Sequence, residues 1–331
     1  MLEIGKLPDK FLSGILERYI TDDNSVILGP SIGEDAGIID VKDEEYLAVC
    51  VDPIMVGISN APYFAVAINI NDIVTRGASP RWASSSIFFP EGSTEDDVRS
   101  FFMQLYKALR PYHISVVTGH TEVTSLVKNP SIIMTMIGTL TKDRMITTSG
   151  AKEGDSLVLT SGAGIEGTAI LAEDYDFKGK VDNEVIERAR KFIYDPGICV
   201  YNAAIISWNY GPNSLHDPTE GGIRKGIEEM ATASGNGVYV EYDKIPIREE
   251  TRILCESAGV DPLGIFGSGA LLISIPPERV EGLLSQYSKS GIIASEIGKV
   301  TEKDMVLLYE GKEIELTASH KDGMIEDVTK L

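Results

Sequence analysis

At 331 residues, 43% of them hydrophobic and 24% charged, the chain is long enough for two domains with buried cores and has the composition of a soluble globular protein. Its formal net charge of −20 repels nucleic acid and anionic membranes, so neither is expected as a partner, and no run approaches the roughly 18 apolar residues of a membrane span. Three scattered cysteines (Cys50, Cys199, Cys255) and a start without a basic-then-apolar leader fit reduced thiols in a cytoplasmic protein.

In chain order, the pattern predicts a helix near Asp9–Ile20 and short strands at Ser25–Leu28, Ala36–Asp40 and Tyr46–Val51. A helix over Pro62–Arg76 follows, with Pro62 suited to a first helical position. Next come a strand at Trp82–Phe88, a helix over Glu95–Tyr112, and strands at Ile114–Thr118 and Ile132–Leu140. The turn-rich stretch Thr147–Asp155 predicts a boundary between domains 1–150 and 151–331.

Beyond the boundary the pattern gives a strand at Ser156–Leu159 and helices at Glu166–Tyr175, Asn183–Tyr194 and Cys199–Trp208. Strand Ser214–His216, helix Gly221–Ser234, strand Val238–Tyr242, helix Glu249–Ala258 and strand Ala270–Ile275 follow. The chain closes with helix Pro277–Ser290, strands Ile292–Val300 and Met305–Tyr309, and a polar tail. Strands adjoin strands as often as they alternate with helices, which favours an α+β protein of two domains over one doubly wound sheet.

The turn "SGAGIEG" spaces Gly162, Gly164 and Gly167 as G-x-G-x-x-G between an apolar run and a helical segment, the local grammar of a dinucleotide loop. A dinucleotide fold also needs a second strand ending in an acidic residue about 20 residues on. Asp182 and Glu184 stand at that distance within a polar, helix-patterned segment, so NAD is not expected. The glycines are read as a tight turn with close backbone approach, whose N–H groups could still meet an anion.

With so acidic a surface, a polyphosphate ligand is most naturally held through metal ions bridging carboxylates and phosphates. Four acidic motifs suit that role. "GEDAG" puts Glu34 and Asp35 in a glycine turn, and "VCVDPI" ends a strand at Asp52. "NIND" places Asn69, Asn71 and Asp72 inside an apolar helix, where charge is costly unless it pairs with Arg76 or a cation. "HDPTEGG" offers His216, Asp217, Thr219 and Glu220 ahead of two glycines. As capping or pairing residues each has an ordinary structural role, yet together they suit hard-oxygen binding of Mg²⁺. "GHTEV" adds His120 and Glu122 after a strand, without the companion ligands of a zinc site. There is no Walker A sequence and no G-x-S-x-G elbow, so an ATP site would be of another kind.

In order along nearly the whole chain, "GEDAGIID", "VDPI", "NDIVTRGASPRW", "GHTEVT" and "HDPTEGGI" resemble the aminoimidazole ribonucleotide synthetase (PurM-like) superfamily, which includes thiamine monophosphate kinase and selenophosphate synthetase. The resemblance is closest to the hydrogenase expression/formation group. It implies an N-terminal α/β domain whose sheet forms a barrel with its twin across a homodimer, and a C-terminal α/β domain packed against it. It implies ATP with Mg²⁺ on Asp35, Asp52, Asp72 and Asp217, and Asn71, Gly119, Thr121, Gly221 and Gly222 along the nucleotide. Glu122, His120 and Glu220 are the catalytic candidates; His120 stands where the family motif is usually written with Asp. Lys6 matches a mobile lysine that some relatives place over phosphates. The implied chemistry is ATP-driven phosphorylation of an oxygen on a small-molecule substrate. The maturation enzymes of the group work on a C-terminal Pro-Arg-Ile-Cys, whereas this sequence ends "GMIEDVTKL", so self-dehydration is not expected. The alternative is a non-catalytic nucleotide-binding accessory protein of a maturation complex.

Overall fold

The computed structural model describes residues 24–29, 34–41, 45–54 and 60–316, so Lys6 and the helix expected near Asp9–Ile20 lie outside the described residues. In the first half, β1 (Val26–Leu28), β2 (Gly37–Asp40), β3 (Glu45–Ile54), β4 (Ser79–Pro90), β5 (Ser115–Thr124) and β6 (Ser131–Thr141) form one sheet in the order β1-β2-β3-β6-β4-β5. Only β4 and β5 pair in parallel; the other neighbours are antiparallel.

Residue alternation shows which face is covered. Ala48, Cys50 and Ile54 of β3 are buried, while Val51 and Pro53 between them are exposed. The cover comes from α1 (Ala61–Thr75), which packs on β3 and β6, and from α2 (Glu95–Leu109) beside it. The sequence of α1, "APYFAVAININDIVT", is apolar nearly all round, as a buried helix must be, with Pro62 in its first turn. Gly77 stops it in the left-handed region at φ 75°. On α2 a capping box at Thr94 and Asp97 fixes the start, and Phe101 meets Phe89 edge-on at 5.3 Å between centroids.

The second half holds β7 (Ser156–Thr160), β8 (Ser214–His216), β9 (Gly237–Glu241), β10 (Leu272–Ile275), β11 (Ala294–Thr301), β12 (Met305–Tyr309) and β13 (Lys312–Glu315). Their order is β13-β12-β9-β11-β7-β10-β8. Helices α3 (Ile165–Asp174), α4 (Asn183–Arg190), α5 (Tyr201–Trp208), α6 (Gly222–Ser234), α7 (Glu249–Ala258) and α8 (Val280–Lys289) complete it. None of the described helices is long and apolar enough to cross a membrane.

Each half is expected to carry a core of its own, and the second does hold one around Leu157, Ile223, Val240 and Leu272. The largest cluster, however, is shared: Ile70 and Ile73 of α1 bury with Ile198, Leu215, Ile273 and Tyr287. Asn71 clamps this junction, donating to the Ile198 carbonyl at 2.9 Å and accepting from the Val200 N–H at 2.8 Å. Trp208 Nε1 donates to the Val74 carbonyl at 3.1 Å.

Two local expectations are corrected. β5 does not end at Thr118 but runs to Thr124, so His120, Thr121 and Glu122 lie on an edge strand rather than in a loop. The segment expected as polar tail after Tyr309 contains β13, whose four residues are all exposed and, among the described residues, pair only with β12. An exposed edge strand has no buried face, and so leaves no apolar alternation to read.

Candidate metal centre

The carboxylates gather where α1, the end of β3, the turn before β2 and the loop after β8 meet. Asp72 projects from the middle of α1 and is only 6% exposed; Asp217 follows β8 directly and is 2% exposed. Among the described residues, neither Asp72 Oδ2 nor either oxygen of Asp217 has a hydrogen-bond partner. A buried carboxylate with a bare oxygen is costly unless it is protonated or meets a cation. Burial, with the charges of Asp52, Asp217 and Asp35 added, raises the Asp72 carboxyl well above the ordinary carboxylate range. The Asp217 carboxyl is raised too, by burial and then by Asp35, against the opposing charges of His216 and Arg76. Asp52 is half-buried on β3, on the same face as Cys50. Cys50 itself is a buried thiol that donates to Asn69 at 3.4 Å, its own pKa raised by burial and by Asp72.

Arg76 does not neutralise Asp72, which removes the simplest structural explanation for that residue. Its fully buried guanidinium turns to the other side, where Nη1 pairs with Glu34 and Nη2 donates to Asp35 Oδ2 at 2.9 Å. The same Nη2 reaches Thr148 Oγ1 and the Leu215 carbonyl, each at 2.9 Å. Glu34 in turn accepts from the backbone N–H groups of Thr148 and Ser149 at 3.1 Å. His216 lies between two carboxylates, with Nδ1 3.1 Å from Asp35 Oδ2 and Nε2 2.9 Å from Glu229 Oε2. Burial alone would lower its pKa, but the two acids outweigh burial and hold it well above the ordinary value.

Asp35, His216 and Asp217 bring side-chain ligand atoms within 4.8 Å of one another. The oxygen-rich donor set and the bare oxygens of Asp72 and Asp217 fit a hard divalent cation such as Mg²⁺. Glu220 is half-buried on the same loop as Asp217. Gly221 and Gly222 turn that loop into α6 with φ of 79° and 65°, and a Cβ on Gly222 would collide with the carbonyl oxygens of Leu263 and Ile265.

The remaining sequence-derived residues are not brought to this cluster within one chain. Register aligns Asp52 with Met134, Met134 with Ser85, and Ser85 with Gly119, so Gly119 is three strand spacings, roughly 14 Å, from Asp52. His120 and Glu122 point to one side of that exposed strand and bond each other at 3.1 Å. The side-chain amide of Asn71 is engaged by backbone at both its nitrogen and its oxygen. Sequence reading missed Glu229 and Thr148, whose partners lie on other elements and leave no spacing signal.

The glycine turn at 162–167 is explained without a ligand. β7, which feeds it, is antiparallel to both β10 and β11, unlike the parallel strands of a dinucleotide fold. The N–H groups of Ala163, Glu166 and Gly167 donate to the carbonyls of Pro246, Ser268 and Phe266, so they are not aimed at an anion. A Cβ on Gly167 would lie 2.8 Å from the Ile265 side chain.

Comparison with known proteins adds a family to this geometry. Residues 33–140 match the model of the AIR synthase related protein N-terminal domain, and residues 152–309 match the C-terminal one. The chain belongs to the AIR synthase related family. Within it, the chain is 30% identical to carbamoyl dehydratase HypE of Azotobacter vinelandii over 224 residues, which is 66% of this chain and 63% of that protein. It thus spans just under two thirds of that relative. It is 24% identical to thiamine-monophosphate kinase of Haemophilus influenzae over 323 residues, 92% of this chain and 95% of the kinase. The fold matches HypE in a HypE-HypF complex (TM-score 0.74, 20% identity, 93% of this chain and 99% of that one). It also matches the hydrogenase maturation protein HypE in complex with ATP (TM-score 0.68, 24% identity, 98% of each chain).

Proposed function

We propose that the protein is a Mg²⁺-dependent ATP-using enzyme that activates an oxygen of a small molecule, by phosphoryl transfer or by ATP-driven dehydration. The observation that carries this reading is the pair of buried carboxylates, Asp72 and Asp217, with bare oxygens beside Asp52. Support comes from the HypE structure that holds ATP, and from relatives named as a carbamoyl dehydratase and a kinase. The chemistry a bound cation supplies there is neutralisation of phosphate charge.

The chain's own residues do the positioning. Asp52, Asp72 and Asp217 hold the cation, and the Gly221–Gly222 turn, where a side chain on Gly222 would collide with the Leu263 and Ile265 carbonyls, carries the Asp217 loop into α6 beside the nucleotide. Glu220, on the Asp217 loop, is the acid–base candidate nearest the cluster. His120 and Glu122, with Gly119 and Thr121, serve the site only across a homodimer in which β5 meets a second copy. The exposed edge of β5, with Val116, Val117 and Val123 all exposed, supports that arrangement. The same surface suits the second reading, an accessory protein of a maturation complex, since a structure with this fold is a HypE-HypF complex.

Calorimetric titration with ATP, followed by an ADP-release assay, tests the proposal. ATP is expected to bind only when Mg²⁺ is present, and Asp72→Asn to lose that binding; equal affinity in the variant contradicts the site. ADP release that rises with an added carbamoyl compound or phosphate monoester supports the enzyme, whereas Mg·ATP binding without turnover across such compounds favours the accessory reading.

A further inference from the structure

Helix α2 and strand β5 are joined by a turn at Arg110–Tyr112, and a groove of about 520 Å³ lies between them. Phe102, Leu105, Tyr106 and Leu109 form its helical wall, and their i, i+3, i+4, i+7 spacing keeps them on one face of α2. Leu105 and Leu109 are buried, whereas Phe102 and Tyr106 are 42% and 61% exposed. Ile114 and the exposed Val116 stand on the opposite wall. The turn that joins the walls closes one end of the groove. There the His113 N–H donates to the Arg110 carbonyl at 3.2 Å, and His113 takes a φ of 55°, in the left-handed region that non-glycine residues seldom occupy. The side chains of Arg110 and His113 both line this closed end.

Charge, an open hydroxyl and size say what the groove takes. Residues 98–121, which supply most of its lining, hold no Asp or Glu in a chain that has 50 of them. Among the described residues no carboxylate pairs with Arg110 or His113, so this end of an acidic molecule presents uncompensated donors. Ser85 also lines the groove; it is only 8% exposed, and its hydroxyl has no hydrogen-bond partner among the described residues. Its neighbour across the strands is Gly119, which has no side chain to cover that hydroxyl. The volume lies within the roughly 300–1,000 Å³ of small-molecule sites, and the closed end leaves no path for a helix or strand to run through. We propose that the groove between α2 and β5 is a binding site for a small amphipathic anion, a molecule with a planar apolar body and one carboxylate. The apolar body packs between the Phe102–Tyr106 face and Val116, the carboxylate meets the Arg110 fork at the closed end, and Ser85 supplies one further donor. Register puts Ser85 two strand spacings, roughly 10 Å, from Asp52, so the site is separate from the carboxylate cluster and does not depend on the metal-dependent reading.

Calorimetric titration of the full chain with naphthalene-2-carboxylate, and with the cationic naphthalen-2-ylmethylammonium of the same shape, tests the site. The carboxylate is expected to bind and the ammonium to bind at least about tenfold more weakly, the effect of one charge-assisted hydrogen bond. Arg110→Gln should weaken the carboxylate by a similar factor, and saturating Mg·ATP should leave its affinity unchanged. Equal affinity for the two probes overturns the proposal, because an apolar patch alone would then explain the binding; so does a carboxylate that fails to bind at millimolar concentration. Displacement by Mg·ATP overturns it by moving the probe to the nucleotide site. Sedimentation velocity at the same protein concentrations supplies the last arm: binding confined to the monomer would show that a second copy covers the groove, which also overturns the proposal. Arg110 is exposed, so its replacement leaves the fold intact, and the probe pair decides the matter without any variant.

Discussion

Arg76, at the C-terminal cap of α1, and Asp72, within it, lie one helical turn apart and have opposite relations to their surroundings. The guanidinium is fully buried and holds two acids, whereas the carboxylate is buried with a bare oxygen. Replacing Arg76 with Met would leave Glu34 and Asp35 without their shared cation, a change that costs about 3–5 kcal/mol when a buried pair is broken. The urea midpoint should fall accordingly. Asp72→Asn should act oppositely in metal-free protein, melting at the same temperature or higher, because it removes a charge that nothing offsets. The pH dependence has a definite sign. Asp72, Asp217 and His216 all have raised pKa values in the folded chain, so the folded state binds protons more tightly than the unfolded one. The carboxylate contribution is complete below the ordinary value of about 4 and is lost as pH rises through the raised values; that of His216 is likewise lost toward alkaline pH. Melting temperature without metal should therefore fall as pH is raised from about 5 toward the alkaline side, and saturating Mg²⁺ should flatten the fall. A melt that rises over that range without metal would contradict the buried, uncompensated cluster. The residue types of this site were legible, because Asp72 in an apolar helix is anomalous in any sequence. The partner of Arg76 was not, since spacing along α1 suggested Asp72 and only the fold brings Glu34 and Asp35 to it.

Glycines decide several joints between elements. A Cβ on Gly167 would press on Ile265 at 2.8 Å, so Gly167→Ala should cost about 1–3 kcal/mol by overpacking while leaving nucleotide binding unchanged in the folded fraction. Gly222→Ala should cost more, because its φ of 65° and two facing carbonyl oxygens both resist a side chain. It should also weaken ATP binding, as the turn carries Asp217 into α6. Denaturant melts of the two variants beside an ATP titration separate these effects; equal ATP affinity in Gly222→Ala would remove that turn from the site. Elements with a buried surface were readable in sequence: α1, apolar nearly all round, and α7 and β12 fall close to where their apolar residues place them. The end of β5 and the whole of β13 were not, since strands exposed on both faces have no alternation to betray them. The G-x-G-x-x-G spacing misleads for a related reason: the same tight turn serves a dinucleotide or an antiparallel packing corner, and only strand direction distinguishes them.

The molecule as a whole joins an open sheet edge to a shared core and an acidic cluster at the junction of its halves. If β5 meets a second copy, Val117→Lys with Val123→Lys should convert a dimer to a monomer in sedimentation velocity without lowering the melting temperature of the monomer fold. A species of unchanged mass would place the dimer contact elsewhere. The family and the α+β class were legible from ordered motifs, while the core shared across residues 147–155 was not, because sequence shows where apolar faces lie and not which face of another segment they meet. The central claim is that the carboxylate cluster binds ATP through a divalent cation. Thermal unfolding with ATP and Mg²⁺, with ATP and EDTA, and with NAD tests it most directly. A ligand at 100 times its Kd that binds only the folded state adds about 2.7 kcal/mol. The account predicts a raised melting temperature for ATP with Mg²⁺ and none for the other two; stabilisation by ATP in EDTA, or by NAD alone, would contradict it.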